Sequence, residues 1–248
     1  MQGKVIHDQI GKRQLVIYLP PNYETNKAGF PVIYAQDGKQ VEKILPTIMT
    51  EVESKFNEPD YQAFILVGIY SNERIHEYTP WPAPVLGDRF EAFKGQGKDY
   101  LLFIEQELIP YINANYKVLK GARYTAIMGY SLGGLISMYS AYQTTAFGKI
   151  ASISGSFWYK DMVGYIEENE LLNKEAKVFM SYGSQEGCKK QNIQKQAVPC
   201  AQKVNQLLRE KLIYKEAFIC YTDDGGHHEY ADLRYQRALV WLAKSMNE

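Results

Sequence analysis

Six residues constrain this chain more than any others: Gly129-Tyr130-Ser131-Leu132-Gly133-Gly134, directly after the apolar run Tyr124 to Met128 and directly before Leu135-Ile136-Ser137-Met138-Tyr139. That order reads as strand, tight turn, helix. Glycines two residues either side of Ser131 leave room for strand and helix to pass closely, while the turn holds the serine strained and exposed. G-x-S-x-G alone recurs by chance, but between this strand and this helix it predicts a nucleophile at Ser131.

The rest of the chain supplies a sheet for such a turn. Runs rich in β-branched and aromatic residues recur at Gln14 to Pro20, Pro31 to Gln36, Ala63 to Tyr70, Tyr124 to Gly129, Lys149 to Ser154, Ala176 to Gly183 and Lys215 to Thr222, and read as strands. The later ones are almost continuously apolar, as expected of parallel strands covered on both faces. A helix starting near Asp99, which can cap it, carries Leu101, Leu102, Ile104, Leu108, Ile109 and Ile112 on one side, and Pro110 should kink or split it. Ala201 to Leu212 and Ala231 to Met246 read as two more helices. The alternation predicts an α/β fold, mostly parallel with helices on both faces, and the turn at Ser131 makes it the α/β-hydrolase fold.

No linker, repeat or low-complexity segment interrupts the 248 residues, so 1–248 reads as one domain. Two stretches differ: a long surface excursion at about 71–97, with Pro80, Pro82 and Pro84, expected near a functional site, and a short cap-like insertion at about 157–175. Lys+Arg and Asp+Glu both number 28, so no global field favours nucleic acid or an anionic membrane. With no apolar signal in Met1 to Asp8 and no membrane-length apolar run, a cytoplasmic protein is expected. Cys188, Cys200 and Cys220 fit neither a disulfide framework nor a zinc site, and reduced thiols are expected, although Cys188 and Cys200 could still be neighbours. Oligomeric state is not legible.

A serine hydroxyl needs a general base and an orienting acid, and in this fold they follow in the order Ser, Asp/Glu, His. Of the four histidines only His227 and His228 follow Ser131, on the loop after the last strand. His227 is favoured because Gly225-Gly226 can bend the chain just before it; His228 reads as a surface histidine or one supporting the base from behind. The first carboxylate after the penultimate strand is Glu186, the candidate orienter, with Asp223, Asp224 or no side chain at all as rivals. Oxyanion donors are expected from the backbone of Leu132 and from Gly38 or Lys39 in the loop after Pro31 to Ala35. Apart from His227, His228 and Glu229 no cluster has metal-ligand spacing, so no metal or cofactor is expected.

With these residues in place the chain resembles the putative esterase family, which includes enterochelin-esterase-like siderophore trilactone hydrolases, esterase D relatives and feruloyl or acetyl xylan esterases. The resemblance rests on Val16 to Tyr23, Pro31 to Gly38, Arg74 to Trp81, Glu107 to Ile112, the elbow at Ser131, Ser154 to Trp158 and Gly226 to Glu229, nearly the whole chain. It implies His227 as the base, with His228 departing from the family's usual Asn, and maps the family's Arg and Glu onto Arg74 and Glu77, Arg74 as a substrate contact. The siderophore branch implies a ferric, anionic substrate whose iron is cargo, and Lys189, Lys190 and Lys195 on a site rim would attract it. Tyr130 and Trp158, with Tyr159, could form an aromatic wall.

The expectation is therefore a serine esterase releasing iron from a catecholate trilactone, with a small-molecule ester as its partner. A general carboxylesterase on short acyl or aryl esters is the alternative within the class, and a ligand-binding module without turnover the alternative outside it.

Overall fold

The computed structural model describes residues 1–86, 92–212 and 214–247. Among these residues eight strands form one sheet: β1 (Lys4–Ile10), β2 (Arg13–Leu19), β3 (Val32–Ala35), β4 (Ile65–Ile69), β5 (Thr125–Tyr130), β6 (Lys149–Ile153), β7 (Lys177–Gly183) and β8 (Phe218–Asp223). Their spatial order is β1-β2-β4-β3-β5-β6-β7-β8, with β1-β2 and β2-β4 antiparallel and the rest parallel. This is the α/β-hydrolase arrangement expected from the sequence.

Among the described residues eight α-helices connect the strands: α1 (Gly38–Lys55), α2 (Arg74–Glu77), α3 (Gly97–Phe103), α4 (Ile109–Asn115), α5 (Leu132–Ser140), α6 (Met162–Glu168), α7 (Ala197–Lys211) and α8 (Ala231–Ser245). Successive side chains of a strand face opposite ways, so Tyr18, Ile33, Ala35 and Met128 pack under α1 and α8 while Leu15, Ile17, Tyr34 and Ile127 pack under α3, α5 and α7. Both faces are dry, which is why the central strands read as unbroken apolar runs. No described helix is long and apolar enough to cross a membrane.

Five features differ from the sequence reading. The edge strand β1 was not expected, because KVIHDQI is only half-buried and keeps its polar residues toward solvent. Helix α1 also went unread; Pro46 lies inside it, but Val41, Ile44, Leu45, Ile48, Met49 and Val52 bury a continuous stripe that outweighs the lost hydrogen bond. Asp99 does not cap its helix, which begins at Gly97, and sits instead in the first turn, where a carboxylate suits the positive helix end. Pro110 does not interrupt the helical run: the chain widens into a π-helical turn over Ile104–Leu108 and continues as α4, with Pro110 in its first turn. The last strand is shorter than read, since Lys215–Ala217 form a 3-10 turn before β8.

The excursion at about 71–97 lies partly on the surface and partly in the core. His76, Tyr78, Thr79, Ala83 and Phe93 are buried, Trp81 Nε1 donates to the Lys160 carbonyl at 2.9 Å, and residues 87–91 fall outside the described chain. In the stretch 157–175, Phe157, Tyr159, Met162 and Ile166 pack into the core beside α7.

Candidate active site

The elbow forms where β5 hands over to α5. Ser131 lies between them at φ 61° and ψ −119°, a conformation that costs a non-glycine residue about 1–3 kcal/mol and persists only where its surroundings enforce it. They do: its N–H donates to the Ile153 carbonyl at 2.9 Å, and its carbonyl accepts from Leu135 at 3.0 Å and Ser156 at 3.1 Å. A Cβ on Gly129 would lie 2.5 Å from the Gly133 backbone, and one on Gly133 would lie 2.9 Å from Gln36, so the crossing of strand and helix requires both glycines.

Strands β7 and β8 lie on the same side of β5, and the loops at their C-terminal ends bring two further groups to Ser131. His227 Nε2 stands 3.0 Å from Ser131 Oγ, and His227 Nδ1 stands 2.7 Å from Glu186 Oε2. An ionised carboxylate can only accept, so Nδ1 carries the proton and the lone pair of Nε2 faces the hydroxyl. Burial opposes ionisation of Glu186, but hydrogen bonds from His227, the Gly183 N–H and Ser154 outweigh it and hold the carboxyl below its ordinary value.

The rival acids are placed elsewhere. Asp223 makes a two-point bond with Arg234, at 2.7 and 2.5 Å, and Asp224 is exposed. His228 is exposed, with Nδ1 3.1 Å from Tyr130 Oη; burial, His227 and Lys190 push its pKa down. The Tyr130 hydroxyl donates to the His227 carbonyl, and its ring lies 4.9 Å from the imidazole centroid. It steadies His227 as well as walling the groove.

Leu132 and Gly38 open α5 and α1, so first-turn N–H groups of two helices, without partners inside the helix, stand beside the elbow. The Asp37 N–H is already donated to Tyr78 Oη at 2.9 Å, which leaves Gly38 and Lys39 as the candidate donors of that loop. Arg74 grips Asp37 with two bonds, Nε to Oδ1 at 2.6 Å and Nη2 to Oδ2 at 2.9 Å, and leans on Tyr78. Arg74 thus forms an ion pair that shapes the loop, and the same side chain lines the groove. Glu77 pairs with Arg13 at 2.5 Å and accepts from Ser71 at 2.6 Å.

One concavity is lined by several of these residues, and a second shares none of them. A groove of about 950 Å³ is lined by Lys39, Lys43, Arg74, Tyr130, His228 and Tyr235, among others. An apolar cavity of about 550 Å³ is lined by Leu86, Phe157, Trp158, Met162, Ile193 and further residues. Trp158 and Tyr159 line the second, while Tyr130 lines the first. Lys189 and Lys190 are exposed on the turn after Glu186, and Lys195 lies in the 3-10 turn Ile193–Gln196. Cys188, Cys200 and Cys220 are free thiols.

Sequence reasoning missed Arg234. It is wholly buried on α8 and reaches both the Glu186 and the His227 loops. One signal was available: Arg234, Ala238 and Leu242 form an i, i+4, i+8 row whose other members are core residues, and a lone arginine in such a row has to be paired.

The family model described as Putative esterase matches residues 10–241. The uncharacterized protein YbbA of Bacillus subtilis is 39% identical over 246 residues, spanning 98% of this chain and 97% of its own. The iron(III) enterobactin esterase of Escherichia coli K12 is 30% identical over 131 residues, 52% of this chain and 32% of that protein. Among solved structures, an IroE-like serine hydrolase from Shewanella oneidensis superposes with a TM-score of 0.79 at 21% identity, covering 98% of this chain and 80% of its own. The enterobactin esterase FES from Shigella flexneri, solved in the presence of enterobactin, gives 0.74 at 19% identity over 98% of this chain and 58% of that one.

Proposed function

The chain belongs to the Putative esterase family, an ester hydrolase on the α/β-hydrolase fold, and from that premise we propose that it works as a serine esterase through an acyl-enzyme, on the ester bonds of a catecholate siderophore trilactone. The observation that carries the mechanism is the unbroken chain Ser131 Oγ, His227 Nε2, His227 Nδ1, Glu186 Oε2, at 3.0 and 2.7 Å.

Its chemistry follows from those contacts. Ser131 Oγ attacks the ester carbonyl while His227 Nε2 takes the hydroxyl proton, and Glu186 stabilises the imidazolium that forms. The carbonyl oxygen becomes an oxyanion beside the N–H of Leu132 and that of Gly38 or Lys39. His227 returns its proton to the departing alkoxide, leaving Ser131 acylated. Water then gives a proton to the same imidazole as it attacks, and the tetrahedral intermediate collapses to the free acid as His227 Nε2 passes that proton to the departing Ser131 Oγ.

Support for the trilactone comes from the enterobactin esterases among the similar proteins and from the open groove beside Tyr130, roomy enough for a branched substrate. The apolar cavity walled by Trp158 favours a second reading, a neutral aryl or short acyl ester. One pair of measurements decides both levels. A fluorophosphonate probe should label Ser131 in the native chain and leave Ser131→Ala unlabelled; a chain that stays unlabelled is a binding module. A tri-catecholate lactone should then show a kcat/KM well above that of a nitrophenyl acetate, and the reverse order transfers the assignment to simple esters.

A further inference from the structure

Three loops converge on one side chain that nothing above employs. Arg234 Nε and Nη2 hold both oxygens of Asp223, at 2.7 and 2.5 Å, and Nη2 also donates to the Gly226 carbonyl at 3.1 Å. Arg234 Nη1 faces Ser154 Oγ at 3.0 Å, Glu186 Oε1 at 3.1 Å and the His227 carbonyl at 3.3 Å. Those acceptors sit at the ends of β6, β7 and β8, and the arginine is 0% exposed. Room for the guanidinium is built in: a Cβ on Gly183 would lie 2.4 Å from Arg234 Nη2.

We propose that Arg234 is the positioning residue of the reaction, clamping the Glu186 turn to the His227 loop and occupying Glu186 Oε1 so that Oε2 alone meets the imidazole. This rests on the Ser131, His227 and Glu186 reading. Glu186 has two oxygens; Oε1 is taken by Arg234 and by the Gly183 N–H at 2.9 Å, which fixes the carboxylate plane and aims Oε2 at Nδ1. His227 is held at the other end, since its carbonyl accepts from both Tyr130 Oη and Arg234 Nη1.

Charge points the same way. Glu186, Asp223 and Arg234 together carry one net negative charge, which the imidazolium formed during acyl transfer neutralises. Around the imidazole stand Ser131, Glu186, Tyr130, His228 and the Arg234 clamp, with Lys190 near His228. A lysine cannot replace the clamp, because three donors on a point charge do not reproduce a planar fork with five N–H groups.

The test uses fluorophosphonate inactivation of Ser131, which needs no knowledge of the natural substrate. Arg234→Lys keeps the charge and loses the fork; Asp223→Asn with Arg234→Met removes the buried ion pair as a unit and leaves Glu186 as the one remaining charge of the three. Both should inactivate about a hundredfold more slowly than the native chain, the order expected when a catalytic group is misplaced by about 1 Å. For a nitrophenyl ester kcat should fall with KM unchanged. The downfield imidazole Nδ1–H resonance expected of the native chain from its 2.7 Å contact with Glu186 should weaken or move upfield in both. A purely structural arginine would lower Tm without touching that resonance or the kcat of the folded fraction. Either variant folding with native inactivation rate and resonance overturns the proposal while leaving the triad intact. A native chain that is never labelled removes the triad reading instead. If the double variant fails to fold, Arg234→Lys decides alone through the resonance and the kcat to KM split.

Discussion

A serine hydroxyl keeps its proton at neutral pH, so what Ser131 can do depends on the imidazole nitrogen 3.0 Å away. If the two act as a unit, Ser131→Ala and His227→Ala should each lower kcat by roughly 10⁶-fold, and the double variant should be little worse. Glu186→Gln should cost less, on the order of 10⁴-fold, because the orienter only fixes tautomer and charge. His228→Ala, whose ring is exposed and touches Tyr130 rather than Ser131, should keep most activity. Steady-state kinetics on the folded variants checks the series, and a dead His228→Ala beside an active His227→Ala would move the base by one residue. Arg74 belongs to the same scale. With Nε and Nη2 spent on Asp37, Arg74→Ala should loosen the loop that carries Gly38 and Lys39, lowering Tm and raising KM alike for ferric catecholate and neutral esters. A KM effect confined to the anionic substrate would make Arg74 a direct contact instead.

At the scale of elements, β6 carries an unusual burden. Lys149 is buried in it, with Nζ donating to the Arg123 carbonyl at 2.8 Å, and burial together with nearby Lys177 and Arg123 pushes its pKa from 10.5 down to about 8. Because the folded pKa lies below the unfolded one, the unfolded chain binds this proton more tightly. Stability is therefore held down below about pH 8 and rises as pH climbs from about 8 to 10.5. Lys149→Met should raise stability at pH 7 by about 1–2 kcal/mol, since the shift is worth roughly 3 and the orphaned carbonyl takes back part. Thermal melts at pH 7 and pH 9.5 test it: the gain should shrink at the higher pH, and an unchanged or lower Tm at pH 7 contradicts it. The elements most legible in the sequence, β5 and α5, are those whose spacing and flanking glycines agree. Helix α1 was illegible because Pro46 argues locally against what burial of Val41, Ile44 and Leu45 enforces globally.

Across the whole molecule, distant segments are tied by carboxylates that stay ionised. Asp8 accepts from Tyr111 and Tyr116, Glu77 from Arg13 and Ser71, Glu186 from His227, and Asp223 from Arg234. Burial opposes their ionisation, but the hydrogen bonds win and hold each below the ordinary 3.8 for Asp and 4.5 for Glu. Their folded pKa values are depressed, so the stabilisation is complete above about pH 4.5 and is lost as pH falls through the folded values. Denaturation monitored between pH 6 and pH 2 should show that loss, and Glu77→Gln should start lower at pH 6 and fall less steeply; a parallel curve would mean the Arg13 pair contributes nothing. The amino-acid sequence by itself determined the parallel core, the elbow at Ser131 and the histidine loop after the last strand, because alternation, glycine spacing and chain order are properties of near neighbours. Chain order favoured Glu186, but tertiary structure alone separated it from its rival Asp223, turned Arg74 to Asp37 and let Arg234 bolt three loops together. Those choices depend on distances between the ends of β5, β6, β7 and β8, which are set by the strand order and the packing of α8, and no local pattern records them.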